Sequence, residues 1–298
     1  MASAIKKNLS ALATVLLWAL SGLPASADIR INDDAGQELV FEKPVRRIVS
    51  LAPHITELIY AAGAGEFLVG VSEFSDYPPA ARAIPRIGGG SGLDLEAVLA
   101  LQPDLVIAWQ SGNPPTQIER LQSLGLSVFI SEPRDLRDVP DTVAKLGRMA
   151  GTETVAQAVV AAYGERYDRL RQQYGGRSEV SVFYQIWPQP LMTVNGAHLI
   201  SAVIRLCGGA NIFAALPALS PRVDIEAVLA ANPDVIIAGN DGGGSESEIA
   251  RWRGWPELTA VQQGHLYAIP RELLVRHTPR ILEGAELLCR ILDQVRAE

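Results

Sequence analysis

Two stretches of this 298-residue chain are apolar almost without interruption, Leu105-Val-Ile-Ala-Trp109 and Val235-Ile-Ile-Ala-Gly239. A strand with no polar alternation is buried on both faces, as in a parallel sheet covered by helices. Each stretch follows a Pro-Asp turn and a short amphipathic segment, and the whole unit is a repeat. Leu93 to Trp109 and Val223 to Gly239 are identical at ten of seventeen positions. A spacing of about 130 residues is far longer than a solenoid repeat. It predicts two α/β lobes of similar build, with a cleft between them where a small ligand can sit. The copies differ at their ends, Trp109 against Gly239, so the lobes offer a ligand different chemistry.

Between the copies, Val155, Val159, Tyr163, Tyr167, Leu170 and Tyr174 fall at three- and four-residue spacing. That stripe predicts one long helix over Glu153 to Tyr174, ended by Gly175-Gly176. The pattern also predicts a first strand at Arg47–Leu51 stopped by Pro53, a helix from about Ile55 to Ala62 and a strand around Leu68–Val71. A closing helix runs from about Pro279 to Val295. Ser75-Asp-Tyr-Pro-Pro79 and Gly88-Gly-Gly-Ser-Gly92 are loops, and the second lacks the spacing of a phosphate-binding turn. The expected fold is α/β: two Rossmann-like lobes joined by a single long helix, with the ligand cleft between them. The expected divisions are a leader at 1–27, a first lobe at 28–150, a connecting helix at 151–176 and a second lobe at 177–298.

The leader is expected because Lys6 and Lys7 precede the apolar run Leu9 to Leu20, and Ala25-Ser-Ala27 is a small-residue cleavage site. The run is shorter than the roughly 20 residues of a membrane span. Without the leader the net charge of −7 becomes −9, and no basic patch is present, so nucleic acid is not an expected partner. Export places the two cysteines, Cys207 and Cys289, in an oxidising compartment, where they form one disulfide or stay as two buried thiols. Four scattered histidines do not assemble a site for free zinc. No Gly-x-Ser-x-Gly elbow or paired acid–base carboxylates are evident, so a binding protein is expected, not an enzyme.

Several stretches carry a family resemblance: Ser75-Asp-Tyr-Pro-Pro79, Pro103-Asp-Leu-Val-Ile-Ala-Trp109 with Gly112-Asn113, Cys207-Gly-Gly-Ala-Asn-Ile-Phe213, and Pro279-Arg-Ile281 leading to Cys289. The chain resembles the helical-backbone class of periplasmic ligand-binding proteins that feed metal-chelate ABC importers. Within that class it is similar to the vitamin B12-binding branch. The resemblance implies a corrinoid ligand, vitamin B12 or cobinamide, and no resident cofactor. It also implies a monomer that works in the periplasm and docks on an ABC permease dimer. Ferric siderophores or haem are the alternative ligands of the class, with Arg276 and either Arg222 or Arg271 to meet an anionic chelate.

Residue by residue, the resemblance implies ring contacts from Trp109 and Phe74, with Trp187 near another pocket aromatic. It implies polar contacts from Glu272 and Arg276. Gly90 and Ser220 stand where that branch stacks two tryptophans. Glu96 and Glu226 occupy the same position in the two repeats and correspond to glutamates that dock on permease arginines. His54 replaces a small residue at the mouth of the first strand, facing the ligand. Its imidazole could coordinate the ligand's metal axially, bond a polar group or cap the following helix. His277 is expected at the rim, and His198 and His265 as ordinary loop or strand-start residues.

Overall fold

The repeated helix–turn–strand unit folds twice in the same way. The computed structural model describes residues 28–89, 92–240 and 245–297, so the expected leader and Gly90 lie outside the described residues. Two four-stranded parallel sheets form the cores of two lobes. The first is ordered Leu68–Val71, Ile48–Ser50, Leu105–Trp109, Val128–Ser131. The second is ordered Gly209–Asn211, Val180–Gln185, Val235–Asn240, Leu266–Pro270. Numbered by chain order within each lobe, both sheets read 2-1-3-4. Leu105 to Ala108 and Val235 to Ala238 are fully buried, as their unbroken apolarity requires.

The polar residues of the repeat have matching structural tasks. Asp94 and Asp224 cap helices Leu95–Ala100 and Ile225–Ala231, accepting the amide protons of Ala97 and Ala227 at 2.8 Å each. Gln102 and Asn232 both take left-handed φ, 46° and 43°, to turn the chain into Pro-Asp. Each aspartate then reaches the start of the neighbouring strand. Asp104 accepts the amides of Arg46 and Arg47, at 2.7 and 3.0 Å, and Asp234 accepts the amide and hydroxyl of Ser181, both at 2.7 Å. These bonds lock the register of the first and third strands in each lobe.

Helix Glu153–Tyr174 runs between the two sheets in the chain, about 33 Å long at 1.5 Å per residue. Its buried face is Ala156, Tyr163, Leu170 and Tyr174. Val155, expected on that face, is 50 % exposed and covers Gly63, because the stripe at the first turn passes through Ala156 instead. Tyr163 donates to the Leu136 carbonyl at 2.7 Å, and Arg166 grips Glu286 of the closing helix through two bonds of 2.7 and 2.8 Å. That closing helix spans Ile281–Ala297, with Pro279 in the turn before it. Cys207 and Cys289 are disulfide-bonded, tying helix Leu199–Leu206 to the closing helix.

Two local expectations shift. Pro53 does not merely end the first strand, which is Ile48–Ser50; it opens helix Pro53–Ala61. An antiparallel hairpin, Ile29–Asn32 with Glu38–Phe41, precedes the first sheet. Asp33 organises its turn by accepting the amides of Ala35 and Gln37, and it holds the hairpin to the sheet through the amide of Ile130.

In an open parallel sheet the crevice lies beyond the carboxyl ends of the first and third strands, where the strand order reverses. In the first lobe that point brings together His54, just after Ser50, and Trp109. In the second it lies beside Trp187, just after Gln185.

Candidate functional site

A cavity of about 580 Å³ opens between the lobes, within the usual range for small-ligand pockets. The first lobe supplies Phe74, Asp76, Tyr77 and Arg82; the second supplies Arg271, Glu272, Val275, Arg276 and Arg280. Phe74, Glu272 and Arg276 are therefore brought together as sequence reasoning expects. Trp187 stands beside them, with the Arg271 guanidinium 5.4 Å from its ring centroid. Ser220 is not among the lining residues.

The aromatic side chains are unusual in their exposure. Phe74, Tyr77 and Trp187 are 79 %, 42 % and 50 % exposed, and they are the exposed aromatic residues among the described ones. Phe74 and Tyr77 line this cavity, and Trp187 stands beside it against Arg271. Phe74 also holds a φ of 62°, a conformation uncommon for a bulky side chain and often found where function demands it. Tyr77 was not singled out by sequence; its signal was the two prolines that follow, which fix a loop rather than a strand.

Behind the aromatics lies an ion cluster that joins the lobes. Glu57, on helix Pro53–Ala61, has a side chain only 3 % exposed. It accepts from Arg276 Nη1 at 2.7 Å and from Arg280 Nε and Nη2 at 3.0 and 2.9 Å. Both arginines then return to the loop that carries the exposed aromatics. Arg276 bonds Asp76 Oδ1 at 2.8 Å and the Phe74 carbonyl at 3.3 Å. The Arg280 guanidinium lies 3.7 Å from the centre of the Tyr77 ring. Burial opposes the Arg276 charge, but the bonds to Glu57 and Asp76 outweigh it and raise its pKa. For Asp76, partial burial opposes ionisation and the Arg276 hydrogen bond overrides it, holding the carboxyl below its usual range.

Beneath the cavity is a layer of rings. His54 is 4 % exposed and packs edge-on against Trp109 at 5.0 Å between centroids. His277 lies 5.6 Å from His54 and 6.1 Å from Trp109, and His198 lies 5.5 Å from His277. His54 Nε2, His277 Nδ1, Trp109 Nε1 and Thr278 Oγ1 are buried without hydrogen-bond partners. Desolvation, with the Arg276 charge second, pushes His54 down to about 3. Desolvation alone takes His198 to about 4. His277 is lowered by burial and then by its two histidine neighbours. All three imidazoles are neutral at neutral pH.

This layer differs from expectation in two respects. His277 is not at the rim; it is 3 % exposed, because the turn after Pro270 folds back across the first lobe and carries Arg276 and His277 with it. His54 does not face the cavity, since Trp109 and His277 cover it. His198 has the ordinary role of capping helix Leu199–Leu206, accepting the Ile200 amide at Nδ1, 3.1 Å away. His265 likewise precedes strand Leu266–Pro270, with Nδ1 3.0 Å from the Asp234 carbonyl. Among the described residues no cluster of three or more His, Cys, Asp or Glu side chains is arranged to hold a metal ion.

Trp109 is half-buried, and the residues after it explain its setting. Asn113 accepts the Trp109 amide at 2.7 Å and donates to the Leu51 carbonyl at 3.1 Å, pinning the ends of the first and third strands together. At Gly112 a Cβ would stand 1.8 Å from the indole, so only glycine fits. Away from the cavity, Glu96 and Glu226 project into solvent from the first turns of matching helices.

Residues 48–273 match the family model described as periplasmic binding protein. The chain belongs to that family. A vitamin B12-binding protein of Vibrio cholerae serotype O1 is 40 % identical over 253 residues, 84 % of this chain and 90 % of the relative. One from Vibrio parahaemolyticus is 35 % identical over 254 residues, covering 85 % and 92 %. The crystal structure of the periplasmic vitamin B12 binding protein of Vibrio cholerae superposes with a TM-score of 0.80 at 39 % identity, covering 86 % of this chain and 99 % of that one. A periplasmic haem-binding protein crystallised with two haems gives a TM-score of 0.74 at 22 % identity, a likeness of fold. The two parallel-sheet lobes of this periplasmic binding protein thus follow a fold common to relatives with different ligands, and the cleft side chains are what distinguish them.

Proposed function

We propose that this chain captures a corrinoid, vitamin B12 or cobinamide, in the interlobe cleft and delivers it to an ABC permease dimer. The observation that carries the reading is that two exposed aromatics, Phe74 and Tyr77, line one cavity and a third, Trp187, stands beside it against Arg271. Flat conjugated faces are what such side chains bind, through large apolar contact and offset stacking. The names of the relatives at 40 % and 35 % identity support it. A corrin ring carries amide-bearing side chains around its edge, which need donors and acceptors together. Arg82 and Arg271 supply the former, Glu272 and Asp76 the latter.

In the proposal Trp109 forms the floor of this site, with His54 packed behind it, and Trp187 forms its outer wall. Glu96 and Glu226 are the docking points, one on each lobe, for a two-fold permease. The protein works as an exported monomer without a resident cofactor, and it performs no chemistry. A ferric siderophore or haem is the second reading, and the four arginines on the cavity wall are the observation in its favour. Against it, Asp76, Glu272, Glu57 behind the wall and Glu248 beside Arg271 match those four charges.

The test is titration of residues 28–298 with cyanocobalamin and with cobinamide, followed by tryptophan fluorescence and calorimetry. Saturable one-to-one binding with a Kd in the micromolar range or below is expected. Saturable binding of haem or a ferric siderophore, with none of either corrinoid, overturns the reading.

A further inference from the structure

The cavity wall carries four arginines, yet two of them, Arg276 and Arg280, are already engaged from behind by a single buried carboxylate. Glu57 does not line the cavity. It sits beneath, 3 % exposed, and bonds three guanidinium nitrogens of Arg276 and Arg280. Such an arrangement exceeds what joining two lobes requires, since one arginine would pair the charge. It also places the negative charge where neither solvent nor ligand can reach it, while the positive charges face the cleft. In a low-dielectric setting a fixed buried charge acts strongly on groups within a few ångströms.

We infer that Glu57 is a specificity-determining residue: a buried counter-ion that silences the cleft arginines and so favours a ligand without net charge over anionic metal chelates. The inference rests on the proposed role of this cleft in ligand binding and goes further, to which charge class the cleft accepts. Asp76 performs the same task from the solvent side, bonding the other face of Arg276. With its side chain 51 % exposed, Asp76 is screened by water and is the weaker of the two. Glu57 has a second effect through the same atoms. It fixes Arg276 against the Phe74 carbonyl and Arg280 against the Tyr77 ring, and so sets the position of two exposed aromatics.

The experiment compares wild type, Glu57→Gln, Glu57→Asp and Asp76→Asn against two probes, neutral cyanocobalamin and a trianionic iron(III) tris-catecholate. Glu57→Gln keeps size and one acceptor while removing the charge. It is expected to bind the catecholate at least tenfold more tightly than wild type, with a steeper loss of affinity as salt rises, and to bind cyanocobalamin more weakly. Glu57→Asp keeps the charge and the wild-type preference. Asp76→Asn shifts anion affinity in the same direction by a smaller factor, and its half-exposed position keeps folding out of question. The inference is overturned if Glu57→Gln, folded by its melting transition, binds the catecholate no more tightly than wild type, or, where that variant does not fold, if Asp76→Asn does not bind it more tightly. A wild type that ignores cyanocobalamin defeats the corrinoid reading, but the change in anion affinity on removing Glu57 still decides this one.

Discussion

His54 of the first lobe and His277 of the second meet across the lobe boundary, with ring centroids 5.6 Å apart and planes tilted by 47°. Neither His54 Nε2 nor His277 Nδ1, both buried, has a hydrogen-bond partner. The contact is therefore built from two neutral imidazoles and depends on their remaining neutral.

Acid is predicted to destabilise the folded protein through this layer. Unfolded histidine titrates near 6.5, whereas folded His198 and His54 titrate at about 4 and about 3. Above 6.5 neither state is charged and stability is unaffected. Below it the unfolded chain binds protons that the fold refuses, so stability falls until the folded values are reached. Each tenfold loss of proton affinity on folding corresponds to ~1.4 kcal/mol, so the two groups together amount to several kcal/mol. Urea unfolding at pH 7.5, 5.5 and 4.5 measures this. His54→Gln should flatten the pH dependence by roughly one proton, and an identical slope in the variant would sink the explanation.

Truncating the exposed aromatics should separate binding from stability. Phe74 and Trp187 are 79 % and 50 % exposed, so their removal forfeits little packing in the folded protein. Each stacking contact with a ligand is worth about 1 kcal/mol beyond its area. Phe74→Ala and Trp187→Ala are expected to weaken corrinoid binding roughly tenfold each by calorimetry, with Tm shifted by no more than a few degrees. Unchanged affinity in both would place the ligand elsewhere.

The disulfide should matter for the second lobe. Cys207 and Cys289 close a loop of 82 residues, for which chain entropy gives roughly 4 kcal/mol. Both cysteines are fully buried, so reduction requires unfolding. Replacing both cysteines with alanine is expected to lower the urea midpoint by a corresponding amount while leaving the cleft side chains in place. The check is unfolding of the variant and of the oxidised protein side by side.

The fold was legible where local chemistry and tertiary role coincide. The repeat revealed both lobes because unbroken apolar strands and Asp-capped helices leave a direct imprint on sequence. Helix Glu153–Tyr174 was legible from its stripe for the same reason. The ion cluster was not, because Glu57 meets Arg276 and Arg280 across 219 and 223 residues of chain. One signal was available: a glutamate set among Ile55, Leu58 and Ile59, all buried. A charge on an apolar face announces a buried partner without naming it. His277 was misplaced for a similar reason, since the turn that buries it is fixed by contacts with the other lobe.

Charge reversal at the matched glutamates tests the transport half of the proposal. Glu96 and Glu226 are exposed first-turn residues with no hydrogen bond or ion pair among the described residues. Reversal costs each helix about 0.3–1 kcal/mol of favourable interaction with its dipole and disturbs no core contact. Neither residue lines the cavity, so Glu96→Arg/Glu226→Arg should fold and bind ligand as wild type does. Across an interface, however, like charges brought together cost several kcal/mol, and two reversals would oppose docking on both lobes at once. Uptake of corrinoid by cells expressing the cognate permease is expected to fall more than tenfold in the double variant and less in either single one. Normal uptake with intact ligand binding would show that these two carboxylates do nothing beyond favouring their own helices.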